Sequence, residues 1–193
     1  MKVAGANDKD NVVAMRPVYT DRGNMTEVFY ADGRTELDAR SLKSVVRSMA
    51  RRHAVDLREQ RKKVSQVLNR QLLLPVVLDK QVFAPFKMRK PLAENDSTYG
   101  YVEVSFIDDL MENEKGCHVL LKDGRQIEVL SSREAAVQNY VNGLKLLKEI
   151  MAKDKGEHDG LERLAMQTTA AVVSMLSEIY HRVRSLSVSG GGT

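Results

Sequence analysis

Residues 41–70 read SLKSVVRSMARRHAVDLREQRKKVSQVLNR, nine Lys or Arg against two acids, a net of +7. So much charge of one sign cannot leave water without anionic partners, so the segment must keep a basic face at a surface. The whole chain of 193 residues carries only +4, and everything outside this segment therefore sums to −3. The segment also has an apolar side. Leu42, Val45, Val46 and Met49 recur at i, i+3, i+4 and i+7, one face of a helix, while Lys43, Arg47 and Arg51 step by four along another. The pattern breaks at residues 54–56. Leu57, Val64, Val67 and Leu68 then resume the stripe, with Arg58, Arg61, Lys62 and Lys63 outside it. The spacing predicts two short helices, or one kinked helix, with Ser41 and Asp56 as N-caps.

The flanks read as β-structure. Residues 11–20 (NVVAMRPVYT) and 25–31 (MTEVFYA) predict strands of a hairpin over 11–37, with a turn at 21–24 and Asp32-Gly33 closing the second run. Pro17 confines the second half of the first strand to an edge or a bulge. Two apolar runs around Asp79-Lys80 predict paired strands within 71–86, where Pro75, Pro85 and Pro91 exclude helix. Lys87, Arg89 and Lys90 form a second basic cluster, expected in a loop, and 92–98 reads as a mobile polar loop. Residues 99–107 alternate as a strand with Val102, Val104 and Phe106 inward, and 108–116 is an acidic connection. Residues 117–130 predict a hairpin about Asp123-Gly124, the dipeptide of a type I′ turn.

Helices close the chain. Ser131 or Ser132 caps a helix whose stripe is Ala136, Tyr140, Leu144, Leu147 and Met151, and Gly143 inside it costs helix stability but permits close packing. A polar break over 153–160 precedes a long helix over 161–186, either docked on the parent domain or self-associating. Residues 1–10 are expected to be disordered and the Ser/Gly tail 187–193 flexible. The fold class is α+β: antiparallel hairpins in a sheet, a basic helical segment after the first hairpin, and helices at the C-terminus. Residues 11–153 are read as one domain, with 161–186 as an appended element.

Catalytic and metal motifs are absent. His53, His118, His158 and His181 share no ligand spacing, and neither phosphate-binding glycine loop, G-x-x-x-x-G-K-[ST] or G-x-G-x-x-G, occurs. Cys117 is the lone cysteine, so no intrachain disulfide forms, and a strand cysteine reads as a small buried hydrophobe. A non-enzymatic chain without cofactor is expected, in a reducing, cytoplasmic compartment. The long apolar run of a membrane span is missing, and the helical faces lack the Trp and Phe of an interfacial helix, so no membrane partner is expected. Within residues 41–70 the acids that give i,i+4 pairs are nearly absent, which favours phosphate backbone as the balancing partner over an internal acidic patch such as 108–114.

From about residue 13 to 151 the chain resembles the bacterial competence transcription factor (ComK) family. The likeness rests on ordered features: Arg16-Pro17-Val18-Tyr19, the Gly23 turn, and Val45-Val46, Arg51, Leu57 and Arg61-Lys62 in the basic segment. Then come Pro75-Val76-Val77-Leu78-Asp79, Phe83-Ala84-Pro85, Pro91, Val104-Ser105, Asp123-Gly124 and Gln138-Asn139. The resemblance implies a DNA-binding transcriptional activator of genes for DNA uptake, acting as a homo-oligomer on AT-rich double-stranded DNA through the minor groove. Narrow A·T minor grooves concentrate negative potential and attract inserted Arg. The expected DNA contacts are Arg47, Arg51, Arg58, Arg61, Lys62 and Lys63, with Lys87, Arg89 and Lys90 as a second set. The alternative is an interaction module whose basic helices hold an acidic protein, and a regulatory protein partner fits either reading.

Overall fold

A computed structural model describes residues 11–94, 96–113, 116–153 and Met175. The chain divides into two units, Met1–Leu147 and Lys148–Thr193. The described residues form nine strands, β1 (Val12–Thr20), β2 (Gly23–Tyr30), β3 (Thr35–Asp38), β4 (Val76–Leu78), β5 (Gln81–Lys87), β6 (Tyr99–Glu103), β7 (Ile107–Asn113), β8 (Gly116–Leu121) and β9 (Gln126–Val129). They also form three α-helices, α1 (Leu42–Arg52), α2 (Leu57–Leu68) and α3 (Arg133–Lys153). The fold is α+β with antiparallel sheets. The expected N-terminal disorder over 1–10, helix over 161–186 and tail over 187–193 lie outside the described residues, save Met175, which is helical.

Six strands pair in the order β3-β2-β1-β6-β5-β4. The prolines sit where this ladder can spare an N–H. Strand β6 pairs β1 only at Ala14 and Met15, so Pro17 lies where β1 keeps a single neighbour. Strand β4 ends its pairing at Phe83, so Pro85 likewise borders one strand instead of two. On one face of this sheet, Met15, Val28, Phe83, Val76 and Leu78 join Leu42, Val45, Val46, Met49 and Ala50 of α1 in one buried cluster.

Strands β7, β8 and β9 form a separate sheet in that order. The sequence predicts a single strand through residue 107 and an acidic loop after it. Instead β6 stops at Glu103, a 3₁₀ turn spans Val104–Phe106, and the acidic stretch becomes β7. A register shift between Ile107 and Asp109 explains why no alternation is legible there. Leu110 is nevertheless fully buried.

The Asp123-Gly124 hairpin also differs from expectation. Gly124 has φ +86°, but neither Lys122 nor Asp123 has positive φ, as a type I′ turn would require. Leu121 N donates to Arg125 O and Gly124 N donates to Leu121 O, both at 2.8 Å, which makes a type I turn closed by a glycine bulge. The β2–β3 hairpin uses the same device. Gly33 has φ +88°, Tyr30 N donates to Arg34 O at 2.9 Å and Gly33 N to Tyr30 O at 3.2 Å. Both turns read Asp-Gly-Arg, and in both the Arg Nε donates to the Asp carboxylate at 2.8 Å.

Helix α3 lies on the side of the sheet opposite α1, because its Gly143 meets Ala84, whose side chain alternates with that of Phe83. A Cβ at Gly143 would fall 2.4 Å from Val104 Cγ1 and 3.4 Å from Ala84 Cβ. In an open helix, Gly→Ala stabilises by about 1 kcal/mol. Here Val104 is 1% exposed and has nowhere to move. Gly143→Ala is expected to destabilise the fold by about 1–3 kcal/mol, measured by urea unfolding, and Val104→Ala in the same chain should restore part of the loss. A gain in stability would contradict the packing described.

Candidate nucleic-acid interface

The basic segment forms the two helices its periodicity predicts. Ser41 holds the N-cap position of α1, yet its hydroxyl makes no cap hydrogen bond and instead meets Ser44 Oγ at 3.1 Å. Asp56 does cap α2, accepting from Arg58 N at 2.8 Å and Glu59 N at 3.1 Å. Those amides hold its carboxyl below the usual range. Between the helices, Ala54 takes φ +52° and Val55 N returns to Ala50 O at 2.8 Å, which ends α1 sharply. At the far end Asn69, with φ +49°, closes α2 while Arg70 N donates to Ser65 O at 3.0 Å.

Gln60 fixes α2 to the sheet. Its side-chain amide donates to Val77 O and accepts from Val77 N at 3.1 Å, so one glutamine stands in for a missing strand beside edge strand β4. The apolar side of α2 then faces inward and its cations outward. Lys43, Arg47, Arg51 and Arg52 of α1 and Arg58, Arg61, Lys62 and Lys63 of α2 are all exposed. Among the described residues, only Lys62 of these eight forms an ion pair, with Glu59 on its own helix at 2.8 Å. Asp108 and Asp109 form no ion pair with either helix among the described residues.

Between α1 and α2 lies a groove of about 640 Å³. Lys43 and Arg47 line it from α1 and Arg58 and Arg61 from α2, with Tyr99 and Tyr101 of β6 also in its wall. Three of the expected DNA contacts, Arg47, Arg58 and Arg61, thus converge on one cleft, while Arg51, Lys62 and Lys63 do not line it. Arg61 also donates to Gln71 O at 3.1 Å. Burial pushes the Tyr101 phenol up, and the Arg61 charge opposes that shift. Lys43 and both tyrosines are missing from the contacts expected of the sequence. Lys43 stands in the i, i+4 row with Arg47, but no local signal joins Tyr99 and Tyr101 to helices so distant in the chain.

The second basic cluster is not a surface patch. Lys87 ends β5, half-buried, and its carbonyl accepts from Leu130 N at 2.7 Å. Arg89 is only 9% exposed. Its guanidinium lies 3.9 Å from the Tyr19 ring centroid and its Nε donates to Ser97 O at 2.6 Å. This arginine packs inside the protein, so it leaves the set of candidate contacts. Lys90 alone of the three is exposed. The neighbouring loop is tied down by Asp96, which accepts from Asn24 Nδ2 and Ala93 N at 2.8 Å, Leu92 N at 3.1 Å and the Tyr19 hydroxyl at 2.5 Å. The Tyr19 hydroxyl foremost, with those amides, holds the Asp96 carboxyl far below the usual range.

Elsewhere the chemistry is quiet. Cys117 is fully buried and burial pushes its thiol up to about 11, which keeps it protonated at neutral pH. Among the described residues no cluster of His, Cys, Asp or Glu could hold a metal ion, and no helix is long and apolar enough to cross a membrane. Comparison with protein-family models, with curated proteins and with solved structures finds no match to this chain.

Proposed function

We propose that the chain binds double-stranded DNA through the outer surface of α1 and α2 and regulates transcription. One observation carries the DNA reading: eight exposed cations on two adjacent helices, with a single ion pair to them among the described residues. Self-repulsion on such a surface opposes folding, and phosphate backbone relieves it. Arginines predominate, which suits insertion into the narrow minor groove of AT-rich DNA. Activation of transcription and assembly as a homo-oligomer follow from the likeness to competence factors.

The test is retention on heparin followed by a gel shift with AT-rich and GC-rich duplexes. Retention with a shift that favours the AT-rich duplex is expected. Retention without any shift would transfer the surface to an acidic protein partner and end the DNA reading.

A further inference from the structure

Four cations, Lys43, Arg47, Arg58 and Arg61, line the groove between α1 and α2. Lys43 and Arg47 make no ion pair or hydrogen bond to any described residue, and Arg58 and Arg61 add two more charges. Asp96 is the one acid in the wall, and both its oxygens are already taken by Asn24, Tyr19, Leu92 and Ala93. Asp96 stays ionised but forms no ion pair with them, so four cations face one cavity against a single carboxylate, a net of +3 among the described residues. A double helix is too wide for this cleft, whose volume of about 640 Å³ falls among small-molecule sites of roughly 300–1,000 Å³.

The rest of the wall selects within the class of small anions. Tyr99 and Tyr101 stand two residues apart on β6, so both rings belong to one face of the sheet. Neither hydroxyl has a hydrogen-bond partner among the described residues, and Leu42, Val46 and Leu57 supply apolar surface beside them. A flat aromatic ring suits that lining, and a chain of phosphates suits the cations. A nucleoside triphosphate carries roughly −4 at neutral pH, because its terminal phosphate is close to doubly ionised. That is opposite in sign and close in size to the +3 of the wall.

We infer that this groove is a binding site for a nucleoside polyphosphate, its base against Tyr99 and Tyr101 and its phosphates on Lys43, Arg47, Arg58 and Arg61. The inference does not rest on DNA binding, although Lys43, Arg47, Arg58 and Arg61 belong to both surfaces, so the titrations are made without DNA.

Calorimetric titration of the full chain with adenosine triphosphate, adenosine and inorganic triphosphate tests it. Saturable one-to-one binding of adenosine triphosphate is expected, with the other two at least tenfold weaker. Base stacking should contribute roughly tenfold to a hundredfold in affinity. Arg47→Ala with Arg61→Ala should weaken binding at least tenfold, while Lys122→Ala, an exposed cation on the distant hairpin, should not change it. Tyr101→Leu should reduce adenosine triphosphate to the affinity of inorganic triphosphate. Tyr99→Leu should act in the same direction, and it serves if the Tyr101 variant does not fold. Absence of saturation at millimolar ligand overturns the inference. So does equal binding of inorganic triphosphate, or indifference to the arginine pair. Duplex binding with no nucleotide binding would sink this site alone.

Discussion

A chain carrying Arg47→Glu, Arg58→Glu and Arg61→Glu should lose duplex binding by on the order of a thousandfold near 0.1 M salt. Each reversal removes a cation from a phosphate and sets a like charge against the backbone. The slope of log K against log salt should flatten by about 0.9 for each phosphate no longer neutralised. The fold should survive, because all three side chains are exposed and only Arg61 makes a hydrogen bond, to Gln71 O. A thermal melt within a few degrees of the parent separates lost binding from lost structure. Binding within threefold of the parent would mean that α1 and α2 are not the interface. Three charge reversals on another surface should weaken binding much less, because they act only through the screened field and not at a phosphate.

Arg125→Ala should cost the fold about 2–4 kcal/mol, because hydrogen bonds to charged groups contribute roughly 1.5–3 kcal/mol each and those of one side chain are not additive. Arg125 reaches from the β8–β9 hairpin into the β2–β3 turn. Its Nη2 donates to Tyr30 O at 2.6 Å, and its Nη1 to Arg34 O at 3.0 Å and Thr35 Oγ1 at 3.2 Å. Its Nε bonds Asp123 at 2.8 Å, and the guanidinium lies 5.4 Å from the Phe29 ring centroid. One side chain thus ties the three-stranded sheet to the six-stranded one. Arg125→Lys keeps the charge but loses the planar fork, so it should recover less than half of the loss. Urea unfolding measures both, and a loss below about 0.5 kcal/mol would contradict the clamp.

What the chain order reveals is local, and the site is only partly local. The α1–α2 pair is legible because apolar spacing, a break at 54–56 and a capping Asp56 all lie within one stretch. The position of Pro17, where β1 keeps one neighbour, follows from the missing N–H alone. Strand β7 is hidden because Asp108-Asp109 and a register shift erase its alternation, so acidity reads as loop. Charge alone puts Arg89 on the surface, whereas the ring of Tyr19 draws it inside, through a pairing of residues far apart in the chain. The groove is illegible for the same reason. Its cations come from two helices and its tyrosines from a strand that follows an intervening hairpin, and only folding brings them together.

The most direct measurement is the salt dependence of binding to an AT-rich duplex by the unaltered chain, followed by fluorescence anisotropy from low to physiological salt. With about six of the helix cations on phosphates, log K should fall linearly with log salt at a slope of about −5. A slope near zero, or no binding even at the lowest salt, would contradict the account.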